Sequence, residues 1–204
     1  MTTERPIMAR YACALLLACA FCATALAQNP DCTGCHADLT KKKVVHGAVQ
    51  MGCNTCHSEL DASAIPHKSK GKFPKGLKAE GPAVCTTCHE AKLFDGKLVH
   101  APVAAGMCTA CHNPHSSDNA GLAPKAPAEQ CLECHADVKK RPHMIVGFAG
   151  GGHPLGDGKK EAADPLRGGK PFYCAACHEP HRSERPRLMR FDKGMASCQR
   201  CHKM

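Results

Sequence analysis

The five-residue pattern Cys-x-x-Cys-His occurs seven times, at Cys32, Cys35 and His36; Cys53, Cys56 and His57; Cys85, Cys88 and His89; Cys108, Cys111 and His112; Cys131, Cys134 and His135; Cys174, Cys177 and His178; and Cys198, Cys201 and His202. These copies use every cysteine beyond Cys22. In a helical turn, residues i, i+3 and i+4 share one face. Two thiols can therefore meet a porphyrin edge while the histidine that follows lies under its iron. Zinc ribbons and thioredoxin-like redox pairs also use Cys-x-x-Cys. Neither requires a histidine after every second cysteine, so each copy reads as a covalent attachment site for haem c, seven in all.

The chain begins with Arg5 and Arg10, then an apolar run from Tyr11 to Ala27 that ends in Ala25, Leu26 and Ala27. This is the pattern of a secretory signal peptide over 1–27, with a mature start at Gln28. The run is too short and too rich in alanine for a membrane span, and no integral span is expected in the mature chain. Export to the periplasm fits haem attachment outside the bacterial cytoplasm; an outer-membrane-associated or extracellular site is compatible with it. Cys13, Cys19 and Cys22 leave with the signal, and the other cysteines are committed to haem. None remains for the disulfides usual in cysteine-rich secreted chains.

About 177 residues then serve seven haems, about 25 per haem, with no Trp, two Tyr and six Phe. So thin a chain cannot build an ordinary side-chain core. The expected fold is mostly irregular, with short α-helices at the attachment sites, little or no β-sheet, and stacked haems as the core; folding should be coupled to the cofactor. The formal charge of +9 is offset by about −1 for each ferric haem with two ionised propionates. The oxidised holoprotein comes out near neutral. Lysines such as Lys41, Lys42 and Lys43, and those between Lys68 and Lys78, then balance propionates, and no nucleic-acid partner is implied.

Two kinds of repeat appear once the motifs are aligned. Residues 32–57 match 85–112: a haem site, a charged segment, Val-His, a short apolar stretch and a second site. Residues 108–135 match 174–202, both opening with Cys-x-x-Cys-His-x-Pro-His. The expected organisation is a dihaem module over 28–60, a linker rich in Lys, Gly and Pro over 61–84 carrying His67, a trihaem segment over 85–140, a Gly/Pro-rich linker over 141–173 carrying His143 and His153, and a dihaem module over 174–204.

Seven histidines lie outside the motifs: His46, His67, His100, His115, His143, His153 and His181. Seven haems need seven sixth ligands, so bis-histidine ligation throughout is the simplest expectation. The alternative has Met51, Met107 or Met144 filling one or two places. His115 follows His112 by three residues, a reach of at most roughly 10 Å, too short to pass round a porphyrin. It must serve another haem, as must His181 relative to His178. His46 and His100 can reach the first haem of their own pair or one further along.

The whole pattern resembles the multihaem cytochromes c with doubled Cys-x-x-Cys-His motifs, a group overlapping the class III cytochromes c. The likeness is most specific in His112–Ser117, in His178–Ser183, and in the His153-Pro154 and Asp164-Pro165-Leu166 run before the sixth motif. It implies close-stacked bis-histidine haems of low potential and electron transfer in the periplasm or to the cell exterior. Partners would be redox proteins such as a quinol-linked membrane cytochrome, a terminal reductase or an outer-membrane conduit. Two alternatives remain: a nitrite- or hydroxylamine-type reductase, which needs one open haem, and a subunit of a conductive filament or conduit. No Cys-x-x-Cys-Lys occurs, and the expectation is an electron carrier without a catalytic residue.

Overall fold

The computed structural model describes residues 31–139 and 163–203. The segment expected to be a signal peptide and the histidines His143 and His153 lie outside the described residues. The chain is mostly irregular, with short helices and three two-stranded β-ladders.

Each attachment motif is closed by the same hydrogen bond. The N–H of the motif histidine donates to the carbonyl of the first cysteine: His36 to Cys32 at 2.8 Å, His57 to Cys53 at 3.0 Å, His89 to Cys85 at 3.0 Å, His112 to Cys108 at 3.0 Å, His135 to Cys131 at 3.1 Å, His178 to Cys174 at 3.0 Å and His202 to Cys198 at 2.9 Å. This is the 13-atom ring of an α-turn. Some turns belong to short helices, among them Thr33–His36, Pro82–Thr86, Cys108–Cys111, Pro127–Leu132 and Met195–Cys198. Pro82 and Pro127 start two of these at the first helical position, where no N–H is needed.

The ladders are antiparallel and two residues long. β1 (Val44–Val45) pairs β5 (Ser116–Ser117), with Val44 opposite Ser117. β2 (Leu60–Asp61) pairs β3 (Lys68–Ser69) in a local hairpin. β4 (Leu98–Val99) pairs β6 (Arg182–Ser183), with Leu98 opposite Ser183. The first and third ladders are one construction used twice. His46 N–H donates to the His115 carbonyl at 2.8 Å, and His100 N–H to the His181 carbonyl at 2.9 Å.

A tight turn recurs after the second, fourth and sixth motifs. Its two central residues are left-handed: Lys75 and Gly76 (φ 59° and 61°), Gly121 and Leu122 (φ 67° and 58°), Arg187 and Leu188 (φ 59° and 55°). Positive φ at both central positions is the type I′ arrangement, which only glycine adopts without strain. Each turn is tied back by a serine hydroxyl: Ser69 to Phe73 O at 2.6 Å, Ser117 to Ala123 O, and Ser183 to Met189 O at 2.6 Å.

Among the described residues the polypeptide buries only Ala128, Ala175 and Ala176 of its apolar side chains. Ser116, Ser117, Asp164 and Ser183 are the buried polar ones. A chain of this length normally encloses a contiguous apolar core, and among the described residues the interior left to the protein is a few alanines, backbone-bonded serines and Asp164.

Candidate haem sites

The fourteen cysteines from Cys32 to Cys201 are free thiols, each half-buried or exposed. Both sulfurs of every motif are therefore open to thioether formation, on a turn that carries the histidine beside them.

Five motif histidines face a histidine from outside the motifs. The ring centroids are 5.9 Å apart for His36 and His67, 6.1 Å for His89 and His46, 6.2 Å for His57 and His115, 6.1 Å for His135 and His100, and 5.8 Å for His112 and His181. Two imidazoles bonded to one metal from opposite sides give nearly this spacing: a metal–nitrogen bond of about 2 Å plus about 1.1 Å to the ring centre, on each side, comes to roughly 6 Å. Each ring is matched to one partner of the other kind, and none of the five pairs joins two motif histidines.

Backbone carbonyls set the tautomer. Nδ1 donates to Pro114 O from His46 (2.9 Å), to Lys75 O from His57 (2.8 Å), to Ala64 O from His67 (2.7 Å), to Pro180 O from His100 (2.9 Å), to Gly121 O from His112 (2.6 Å) and to Arg187 O from His178 (2.8 Å). A carbonyl can only accept, so the proton sits on Nδ1 and Nε2 keeps its lone pair for a metal. The left-handed turns have a purpose in this arrangement: Lys75, Gly121 and Arg187 are the residues whose carbonyls meet the rings of His57, His112 and His178. Burial, then the neighbouring imidazoles His57 and His46, push His115 below the ordinary histidine range. Burial and His112 do the same for His181, against an opposing pull from Glu179. Both rings are thereby held neutral, the form that binds iron.

Successive motifs approach one another through their sulfurs. Burial and a hydrogen bond with Cys53 push the Cys32 thiol up. Cys85 is pushed up by burial and by Cys108, and Cys131 by its hydrogen bond with Cys174 and by burial. Weaker electrostatic contacts link Cys85 to Cys56, Cys111 to Cys134, and Cys177 to Cys201 and Cys198. Every motif thus has its sequence neighbours as spatial neighbours. Since thioethers carry no proton, these shifts matter here as marks of proximity.

The doubled CXXCH motif family matches the chain three times, over residues 46–94, 100–140 and 164–204, together well over half its length. The chain belongs to this family. It is a multihaem c-type cytochrome, with haem c attached covalently through the CXXCH cysteines and a role in electron transfer. No curated protein matches the cytochrome in a sequence search. The three matches frame the motifs as second with third, fourth with fifth and sixth with seventh, and the motif at Cys32 falls before all of them.

Residues 61–84, expected as a linker, hold the β2–β3 hairpin, the Lys75-Gly76 turn and His67 beside the first motif. A third copy of the Pro-His-x-Ser segment lies here, Pro66-His67-Lys68-Ser69, in line with Pro114-His115-Ser116-Ser117 and Pro180-His181-Arg182-Ser183. Sequence alignment of the motifs overlooks it, because an excursion separates it from His57; the tetrapeptide itself was the available signal. Met51 and Met107 are exposed, at 68 % and 54 %. No described helix is long and apolar enough to cross a membrane.

Proposed function

We propose that this cytochrome is a periplasmic heptahaem electron carrier in which each iron is held between two imidazoles, and in which the attachment sites follow one another in space in their sequence order. The observation that carries the reading is the set of five motif histidines, each facing one other histidine at 5.8–6.2 Å. Haem iron supplies reversible one-electron chemistry when bound. The protein's own contribution is to fix the Nδ1 protons on backbone carbonyls, keep both faces of each iron closed to small ligands, and bring consecutive sulfurs together.

Five pairs account for five motif histidines. With seven histidines in the motifs and seven outside them, one pair serves each iron, and His143 and His153 take the haems of the sixth and seventh motifs. Full bis-histidine ligation without an axial methionine favours low potentials, since methionine raises them. The donor and acceptor are redox proteins, a quinol-linked membrane cytochrome on one side and a terminal reductase or outer-membrane conduit on the other. Cleavage after Ala27 would place the mature protein, beginning at Gln28, in the periplasm.

The test is electron paramagnetic resonance of the oxidised holoprotein together with the optical response of the reduced protein to carbon monoxide. Low-spin signals alone and no carbon monoxide shift are the expected result. A high-spin iron that takes up carbon monoxide would overturn full bis-histidine ligation and bring a reductase activity forward. Intact mass of the native protein checks the rest: seven haem additions on a chain starting at Gln28 are expected.

A further inference from the structure

The three Pro-His-x-Ser segments are alike in backbone and differ in what covers them. In β5 and β6 the strand partner comes from an earlier part of the chain, β1 and β4. Those same segments bring in His46 and His100, whose rings bond Pro114 O and Pro180 O. In β3 the partner is β2, which belongs to an excursion between His57 and Pro66. The other two copies have no such excursion, because His112 and His178 are followed at once by x-Pro-His.

Ligand pairing departs from the rule at the same place. His115 faces His57 and His181 faces His112, each reaching back to the corresponding motif of the copy before. His67 faces His36 of the first motif, which has no x-Pro-His after it. That motif is also the one left outside all three family matches. An uncovered strand edge invites pairing with another chain, so a copy whose strand is not covered from an earlier segment needs a cover of another kind.

The excursion is built into its surroundings. Asp61 accepts hydrogen bonds from Ser63 N and Oγ at 3.1 and 2.6 Å, turning the chain. Glu59 N–H donates to Gly76 O at 3.0 Å. A Cβ on Gly76 would lie 2.4 Å from Leu60 N, so the excursion rests directly on the turn's backbone.

We infer that residues 58–66 are a cap at the first attachment site, supplying the strand that covers β3 and carrying His67 to that site, where it is the sixth ligand of the haem on Cys32 and Cys35. The inference rests on the bis-histidine reading above and goes beyond it by assigning one ligand and one segment to one site.

The experiment uses His67→Ala in the holoprotein and in a Cys32→Ala/Cys35→Ala background that lacks the first haem. His67→Ala alone is expected to give one high-spin, carbon monoxide-reactive iron, with the rest low-spin. In the background lacking the first haem, His67→Ala should add no open iron. If His67→Ala leaves every iron low-spin, His67 is not a ligand and the bis-histidine reading fails at this site. If it opens an iron in both backgrounds, that reading stands and the assignment to the first haem is wrong. A second variant deletes residues 58–64, so that His57-Ile65-Pro66-His67 reproduces the arrangement at His112. It should open the same iron as His67→Ala, because the deletion removes β2, the strand that holds β3 and His67 in place. Retention of a six-coordinate first haem in the deletion variant would overturn the role of the excursion as the cap.

Discussion

The fourth and sixth attachment motifs occupy the same backbone setting and are braced in different ways. Both histidines bond the carbonyl of a left-handed residue, Gly121 and Arg187, and both are followed by a Pro-His-x-Ser strand. Around the fourth motif the supports are uncharged hydrogen bonds, such as buried Ser116 donating to Leu39 O at 2.6 Å and Gln130 Nε2 donating to Ala110 O at 3.0 Å. Around the sixth, the polypeptide closes an interior of its own. Ala175 and Ala176 are buried, and Asp164 beneath them is 1 % exposed. Arg167 meets that carboxylate at 2.5 Å and Arg190 approaches it at 3.9 Å. Arg190 also donates to the carbonyls of Ala175 and Ala176, at 3.3 Å each. The position of Arg190, just after the Ser183-bonded Met189, corresponds to Pro124 after Ala123 in the fourth motif and to Lys78 after Leu77 in the second. Only the sixth motif has a guanidinium there, and the contrast teaches that the polypeptide braces the sixth motif with a buried ionic cluster of its own that the fourth lacks.

The sharpest way to break that contrast is to make the full chain without haem. Hydrogen exchange should be unprotected across residues 31–139, which bury almost no apolar surface, with residual protection confined to residues 163–191. Equal protection in both regions would remove the distinction. Next in size, Asp164→Ala leaves the largely buried Arg167 guanidinium without its carboxylate, while Arg190 keeps Glu179 at 3.1 Å, and should cost about 3 kcal/mol, read as lost protection over residues 174–190 and not over 108–123. A cost below about 1 kcal/mol would mean the cluster braces nothing.

Acid should separate the two motifs in the same direction. Burial would push the Asp164 carboxyl up, but the Arg167 guanidinium, the Leu166 N–H and Arg190 outweigh it and hold the group below the ordinary carboxylate range. A lowered folded value means the stabilisation is complete above the unfolded value, about 3.9, and is lost as pH falls through the folded one. The sixth motif should therefore gain sensitivity below about pH 4 that disappears in Asp164→Asn, while the fourth is unchanged by that substitution. The smallest effect tests the feature the motifs share. Gly121→Ala meets no atom within 4 Å, so its cost of about 1 kcal/mol comes from the left-handed backbone alone. Arg187→Gly should gain up to about 0.5 kcal/mol, measured by thermal unfolding of the two variants side by side.

Much of the fold class was legible because the cofactor motif is a local code. A histidine after each Cys-x-x-Cys implies one helical turn, and so few residues per motif imply little else. The use of Asp164 was legible only as part of a resemblance, since a single Asp-Pro-Leu run does not reveal that its carboxylate will be covered by Arg190, far along the chain. Which ring faces which was beyond sequence for a related reason. His46 faces His89, and His100 faces His135, across contacts made by two-residue ladders that have no periodicity to read. The reach argument separated His115 from His112, and the ring of His115 lies against His57. It could not choose that partner, because contour length excludes a near target without selecting a distant one.

The ladder that docks His46 against Pro114 and the one that docks His100 against Pro180 have a consequence for how such a chain can change over generations. Because each copy presents to its successor the same strand and the same ring, an internal duplication of the segment between corresponding strands would arrive with both of its junctions already matched. The number of redox centres, and with it the span an electron can be carried, is then adjustable in whole increments at the level of the gene, without redesign of any single contact.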